Sequence, residues 1–248
     1  MSTSHPRLHV LIPAAGVGLR AGGAGPKQYQ LLDGQPLVAH TLAAFAAVRV
    51  PLASIALVVA LDDTHVAQAL PGFPALASAD APEQCLLRVG GATRAATVQA
   101  GLQALQARGA QPQDWVLVHD AARCLVTPAQ IEALIAACED DAVGGLLALP
   151  LPDTLKASDG EGRVAATLSR EGKWLAQTPQ MFRLGVLDQA LAQCERRGVG
   201  VTDEASAIEA QGFKPRLVPG SAQNFKITYP DDFALAQAVL QARSRASS

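Results

Sequence analysis

Short runs of aliphatic residues alternate along the chain with longer alanine-rich segments whose apolar positions recur every three or four residues. The first pattern is typical of buried strands and the second of helices with one apolar face. Their alternation predicts a Rossmann-like α/β fold, with a mostly parallel twisted sheet flanked by helices. The predicted strands are Leu8–Pro13, Ser54–Leu61, Leu86–Val89, Trp115–His119 and Gly145–Leu151. The predicted helices are Pro36–Val48, Asp63–Leu70, Thr93–Arg108, Pro128–Cys138, Leu184–Arg197, Asp203–Gln211 and Pro230–Ala242.

The start of one helix is marked by the run Thr127-Pro128-Ala129-Gln130. A threonine with a glutamine three residues later forms a capping box, and proline is favoured at the first helical position. The run therefore predicts a helix that begins at Pro128.

One polar segment, residues 152–173, interrupts the alternation. Its tetrad Asp159-Gly160-Glu161-Gly162 lies between two short runs of β-forming residues, which predicts a β-hairpin that protrudes from the α/β core. Because two isolated strands are only marginally stable in water, we expect this arm to pack on a second copy of the chain. The segment therefore predicts a homodimer.

Composition narrows the class of protein. With 49% hydrophobic and 17% charged residues, the 248-residue chain is expected to form a single domain over residues 1–248. The net charge of −2 gives no overall positive field, so we expect no nucleic-acid partner. No apolar run reaches the ~18 residues of a membrane span. The four cysteines are scattered without the spacing of metal ligands, which is typical of free thiols in a reducing cytoplasm.

A glycine-rich loop between Pro13 and Lys27 directly follows the first predicted strand. Its five glycines allow backbone N–H groups to turn toward an anion, and ligands of α/β sheets collect at strand ends. Arg20 and Lys27 add fixed positive charge within the loop. A triphosphate is the expected ligand for this combination.

Two other interpretations of the loop are open. The segment Gly16–Ala21 fits the dinucleotide pattern G-x-G-x-x-G/A, which would indicate an NAD-dependent oxidoreductase. That pattern also requires a carboxylate about 20 residues further on, and no acidic residue occurs between Asp33 and Asp62. A merely flexible loop would require neither Arg20 nor Lys27.

Asp120 ends the predicted strand Trp115–His119, at the same sheet edge as the glycine-rich loop. A carboxylate at this position can cap a helix, or it can bind Mg²⁺ beside a triphosphate. We expect its neighbour His119 to be structural. The glycine pair Gly90-Gly91 lies between a strand and a helix, where it would let a flat base approach the backbone. Lys226 is one of only five lysines and falls in a predicted late strand.

Seven motifs occur in order along nearly the whole chain: PAAGVGLRAGGAGPKQY (13–29), GGATRAATV (90–98), VHDAAR (118–123), DTLK (153–156), TPQ (178–180), TDEAS (202–206) and NFKIT (224–228). Together they resemble the 2-C-methyl-D-erythritol 4-phosphate cytidylyltransferases of non-mevalonate isoprenoid biosynthesis. The resemblance implies transfer of a cytidylyl group from CTP to methylerythritol phosphate, with Mg²⁺ as cofactor.

The resemblance also implies site residues. The catalytic residues would be Arg20, Lys27 and Lys226. The nucleotide-binding residues would be Pro13, Ala14, Ala15, Gly16, Gly18, Gly91, Thr97 and Asp120, with Asp120 also the metal ligand. The acceptor would be held by Lys226, Arg170 and Thr202, the last with Asp203 and Glu204 at a helix start, and by Thr154 and Arg123 across a dimer interface. Thr97 could instead be a core-facing helical residue, and Arg123 and Thr154 could be purely structural.

The chain departs from the family pattern at two positions. Cys124 stands where proline is usual, and Ala92 stands where an acidic residue is common. The open alternatives are a different acceptor such as ribitol 5-phosphate, a different base, or a nucleotide-binding regulator without turnover.

Overall fold

The computed structural model describes residues 5–16, 25–75 and 81–246. The strands in these ranges are β1 (Leu8–Pro13), β2 (Leu31–Leu32), β3 (Gln35–Pro36), β4 (Ser54–Ala60), β5 (Glu83–Gly90), β6 (Trp115–Val118), β7 (Gly144–Pro150), β8 (Leu155–Ser158), β9 (Val164–Leu168), β10 (Trp174–Arg183) and β11 (Arg216–Pro219). The α-helices are α1 (Leu37–Ala46), α2 (Val66–Ala69), α3 (Arg94–Ala107), α4 (Pro128–Cys138), α5 (Leu184–Arg196), α6 (Glu204–Glu209) and α7 (Asp231–Ala246).

Seven strands form the central sheet, in the order β11-β7-β10-β6-β1-β4-β5. Each neighbouring pair described is parallel except the two pairs that β10 forms, with β6 and with β7. β1 lies between β6 and β4, so that Leu11 pairs with Val118 on one side and with Ala56 on the other. The predicted Rossmann-like, mostly parallel sheet is therefore confirmed.

Alternate residues of β1 face opposite sides of the sheet, as the two-residue period of a strand requires. Val10 and Ile12 are buried in a core cluster that contains Phe45 of α1 and Leu134 of α4. Leu11 belongs to a second cluster, which contains Leu102 and Leu105 of α3 and Leu187 and Leu191 of α5. Both faces of the sheet are thus covered by helices.

Local hydrogen bonds set the ends of two helices. Thr127 and Gln130 exchange hydrogen bonds at the start of α4, with Pro128 in its first turn, which confirms the predicted capping box. Helix α2 is shorter than predicted because Asp63 Oδ1 accepts hydrogen bonds from the backbone N–H groups of His65 and Val66, at 2.8 and 3.0 Å. Those bonds form a turn, and the helix begins only at Val66.

The predicted arm is confirmed as an antiparallel hairpin. β8 and β9 pair with Leu155 opposite Leu168. In the turn, the Asp159 backbone N–H donates to the Arg163 carbonyl, and Asp159 Oδ1 accepts from the backbone N–H groups of Glu161 and Arg163. Most residues of the arm are exposed. Within the described ranges, no helix has both the length and the apolar character needed to cross a bilayer.

Candidate active site

A cavity of about 270 Å³ opens where β1 and β6 end. Nine of the predicted site residues line it: Pro13, Ala14, Ala15, Gly16, Lys27, Gly91, Thr97, Asp120 and Lys226. Because these residues come from five separate segments of the chain, their meeting is a property of the fold. We call this space the nucleotide cavity.

Only the two ends of the glycine-rich loop are placed, since Gly18 and Arg20 lie outside the described residues. At its first end, the Ala14 backbone N–H donates to the Val58 carbonyl at 2.7 Å. At its second end, the buried side chain of Gln28 donates through Nε2 to the Ala14 carbonyl at 2.7 Å. Gln28 was not singled out from the sequence, although it lies next to Lys27 in the same motif.

Lys27 begins a single 3₁₀ turn, Lys27–Tyr29, and its ammonium reaches across the cavity. Lys27 Nζ donates to the carbonyl oxygen of Ile227 at 2.5 Å. The Ile227 backbone N–H in turn donates to the Ala122 carbonyl at 2.9 Å. Three segments that are far apart in sequence are therefore tied together at the Lys27 side chain.

The Gly90-Gly91 pair permits close contact with the end of β1. A Cβ added at Gly90 would lie 2.3 Å from Ala15 Cβ and 2.8 Å from the Val59 carbonyl oxygen. The Thr97 hydroxyl is buried below this pair; it accepts from Gly91 N–H at 3.1 Å and lies 2.9 Å from the Thr93 carbonyl, to which it can donate. Buried at the edge of the cavity, Thr97 therefore holds Gly91 in place at the cavity rim.

Asp120 is the electrostatic centre of the site. Its Oδ1 accepts from Arg94 Nε and its Oδ2 from Lys226 Nζ, both at 2.9 Å, and Arg123 Nε lies 3.8 Å from Oδ2. Burial opposes ionisation of this carboxyl, but the charges of Arg94, Lys226 and Arg123 outweigh burial and hold the pKa of Asp120 well below its usual range. Asp120 is therefore a carboxylate at neutral pH.

Arg94 was missed by sequence reasoning, although it lies within the GGATR motif. Its Nη1 and Nη2 donate to the two carboxylate oxygens of Glu204 at 2.6 and 3.1 Å. Glu204 is the first residue of α6 and is only 1% exposed. Glu204, Arg94, Asp120 and Lys226 thus form a continuous row of alternating charges.

His119 lies behind Asp120, in the core of the protein. Its Nε2 is 3.1 Å from the Arg123 carbonyl, which can only accept, so Nε2 carries the hydrogen. Nδ1 then accepts from the Thr178 hydroxyl at 3.1 Å, and the Thr178 oxygen accepts from the Asp120 backbone N–H at 3.0 Å. Burial lowers the pKa of His119 to about 4. The predicted structural role of this neutral histidine is confirmed.

This histidine should make the protein sensitive to mild acid. The unfolded chain has the ordinary histidine pKa of 6.5, so between pH 6.5 and 4 it binds a proton that the folded chain does not. The free energy of unfolding should therefore fall as the pH falls through this range, by about 3 kcal/mol in total. Urea unfolding at several pH values measures the slope, which should be smaller in a His119→Gln variant. Equal slopes would contradict the assignment.

Of the predicted acceptor residues, Lys226 lines the nucleotide cavity, whereas Thr202, Arg170, Thr154 and Arg123 are not among its lining residues. Thr202 lines a second cavity of about 360 Å³, which shares Thr93 and Arg94 with the first. Arg170 donates to the Pro152 carbonyl at the base of the arm, and Thr154 is exposed beside it.

The guanidinium of Arg123 donates within the chain to the carbonyls of Asn224, at 2.8 Å, and Ala176, at 3.2 Å. One expectation for the acceptor side needs correction. Lys226 does not lie in a strand, since the described segment around it has no sheet partner. Its neighbour Ile227 is instead buried in a cluster that contains Ala236 of α7.

Comparison with known proteins leads to the family that the sequence motifs resemble. Residues 8–242 match the family model of 2-C-methyl-D-erythritol 4-phosphate cytidylyltransferase. A cytidylyltransferase of that name from Burkholderia vietnamiensis is 51% identical over 98% of this chain and 99% of its own length. A solved 4-diphosphocytidyl-2C-methyl-D-erythritol synthase superposes with a TM-score of 0.81 at 36% identity, covering 96% of this chain and all of that one.

A further relative is longer than this chain. The bifunctional enzyme IspD/IspF of Albidiferax ferrireducens is 59% identical over all 248 residues, which make up 56% of its length. The chain thus spans about half of that protein.

Proposed function

Because the chain belongs to the 2-C-methyl-D-erythritol 4-phosphate cytidylyltransferase family, it is a nucleotidyltransferase, and we propose that it carries out this transfer in the nucleotide cavity. The reaction passes a cytidylyl group from CTP to methylerythritol phosphate and releases pyrophosphate. One observation carries the assignment of the site: Lys27 and Lys226 meet strand-end backbone and the ionised Asp120 in a single cavity.

On the nucleotide side, we assign the backbone of residues 13–16 and of Gly91 to cytosine and its ribose. Gly91 lines the nucleotide cavity without a side chain, so a flat base could approach its backbone. Lys27, together with Arg20 from the same loop, would neutralise the triphosphate. Thr97 would act indirectly by holding Gly91.

On the acceptor side, Lys226 is the residue best placed for the phosphate of methylerythritol phosphate. Its side chain is 39% exposed beside the buried Asp120, so the ammonium can contact a ligand while it stays paired with Asp120. Thr202 lies across Arg94 from the nucleotide cavity. We propose that Arg170 also holds the acceptor, and that Thr154 and Arg123 contribute across the dimer interface.

The chemistry needs orientation and charge more than proton transfer. An oxygen of the ionised acceptor phosphate attacks the α-phosphorus of CTP; the new O–P bond forms as the bond to pyrophosphate breaks, and pyrophosphate departs with the electron pair. Since the attacking oxygen is already deprotonated, no general base is required. Catalysis then rests on holding both phosphates in line and on stabilising charge at the leaving group.

The donor set fits Mg²⁺. Asp120 is the only carboxylate among the described residues that line the nucleotide cavity, so it would be the protein's ligand to the ion. One carboxylate with phosphate and water oxygens is a typical magnesium environment. When bound, the ion would neutralise phosphate charge. Activity should disappear with EDTA and return with excess Mg²⁺.

A pyrophosphate-release assay tests the function directly. CTP, ATP, GTP and UTP would each be combined with methylerythritol phosphate and with ribitol 5-phosphate. Release should be fastest with CTP and methylerythritol phosphate. A preference for another nucleotide, or for ribitol 5-phosphate, would overturn the named substrates.

We further propose that the chain forms a homodimer through the 152–173 arm. The arm exposes apolar side chains that a monomer would leave in water, including Val164 at 65% and Leu168 at 44%. A Val164→Asp/Leu168→Asp variant should sediment as a folded monomer when the wild-type chain sediments as a dimer. Leu235→Asp on α7, 55% exposed, is the matched control. A variant that remains dimeric would exclude the arm.

We also propose one domain over residues 1–248, located in the cytoplasm. The four cysteines are all buried free thiols, which supports a reducing compartment.

A further inference from the structure

Arg94 connects Glu204 to Asp120, and it donates two hydrogen bonds to Glu204 but only one to Asp120. Both terminal nitrogens face Glu204, at 2.6 and 3.1 Å from its two oxygens, whereas only Nε faces Asp120, at 2.9 Å from Oδ1. The two terminal nitrogens of Arg94 therefore bind Glu204, which does not line the nucleotide cavity. The single Nε donor binds Asp120, which does line it.

This division leaves Asp120 with one oxygen for other partners. Arginine beside a single carboxylate favours two parallel hydrogen bonds, which occupy both oxygens. Asp120 Oδ2 instead receives Lys226 Nζ at 2.9 Å. Without Glu204, Arg94 could turn its paired end toward Asp120 and compete with Lys226 for Oδ2.

The start of α6 does not depend on Glu204 alone. Gln180 of β10 accepts from the Ala205 backbone N–H at 2.7 Å and donates to Asp203 Oδ2 at 2.9 Å. Asp203 also caps the helix through Ser206. The helix is therefore held to the sheet by bonds that remain when Glu204 is changed, so the charge of Glu204 has a separate consequence at Arg94.

We propose that Glu204 is a positioning residue for cytidylyl transfer. It holds Arg94 side-on, so that Asp120 keeps Oδ2 directed at Lys226 and at the cavity. This inference rests on the proposed function, because it requires Asp120 and Lys226 to act on the substrates. Glu204 itself acts only through Arg94.

A double-mutant cycle between Glu204 and Arg94 tests the proposal. Glu204→Gln should lower kcat by about 10- to 100-fold, because displaced reacting groups cost that much, while the calorimetric Kd for CTP without metal should change less than about threefold. In an Arg94→Lys background, the same substitution should change kcat less than about threefold, since lysine cannot form the paired bonds. The proposal would be overturned if Glu204→Gln lowered kcat equally in the wild-type and Arg94→Lys backgrounds. It would also be overturned if Glu204→Gln alone kept a kcat within twofold of the wild type.

The controls separate this proposal from the proposed function. Glu139→Gln removes the same charge at the exposed end of α4 and should turn over like wild type. If neither the wild-type protein nor Glu139→Gln releases pyrophosphate from CTP, the proposed function itself fails. If circular dichroism shows that Glu204→Gln is unfolded, Glu204→Asp replaces it, because it keeps the charge but shortens the reach. An unchanged kcat in Glu204→Asp would then overturn the positioning role.

Discussion

Lys27→Ala is expected to lower kcat by about 10²- to 10³-fold, the usual cost of removing one preorganised donor at a centre of developing charge. Lys27 projects from the end of the glycine-rich loop into the nucleotide cavity, and its Nζ is held by the Ile227 carbonyl at 2.5 Å. Its position is therefore fixed before any substrate binds. We expect the larger effect in kcat, since pyrophosphate carries more charge as it departs than it does within CTP.

Steady-state pyrophosphate release at saturating CTP measures this loss. Lys214→Ala, an exposed lysine elsewhere on the surface, controls for the loss of one positive charge. Thermal unfolding should be compared as well, because the Lys27 bond to Ile227 also joins two segments. A Lys27→Ala enzyme with near-normal turnover would remove Lys27 from the catalytic assignment.

The fold could be predicted where hydrophobic pattern and burial agree. β6 is a continuous apolar run, and β1 is apolar apart from the buried His9, because both faces of these strands are covered. β10 was missed because its centre carries Gln177, Thr178 and Gln180, which are buried but satisfied by hydrogen bonds that only the folded chain provides. β11 was missed because only Leu217 and Val218 of its four residues are aliphatic and only Val218 is buried.

The sequence predicted those site residues that lie within recognisable motifs and were assigned a role there. Strand order placed Asp120 near the glycine-rich loop, because parallel strands end at one sheet edge. The network of charges around Asp120 was harder to predict from the sequence. Arg94 meets Glu204 across 110 residues of sequence, and no local pattern indicates such a pair. The apparent strand around Lys226 failed for a related reason: its apolar neighbours pack against α7 instead of pairing in the sheet.

Asp120→Asn tests how much of the site depends on one charge. The substitution keeps the shape of the side chain, but it leaves Lys226 and Arg94 without the anion that both now contact. It also removes the carboxylate expected to hold Mg²⁺. We therefore expect kcat to fall by roughly 10³-fold, at the upper end for loss of a preorganised charge. The free energy of unfolding should fall by about 3 kcal/mol, because Asp120 and Arg123 are both largely buried.

Two measurements distinguish these effects from a general loss of structure. Urea unfolding gives the change in stability, and pyrophosphate release over a range of Mg²⁺ concentrations gives kcat and the apparent affinity for the ion. Asp62→Asn is the matched control, because Asp62 follows β4 at the same sheet edge but is exposed. It should retain wild-type turnover. If Asp120→Asn kept more than about a tenth of the wild-type kcat, with an unchanged Mg²⁺ dependence, neither the metal-binding nor the charge-organising role of Asp120 could stand, since either role alone should cost more.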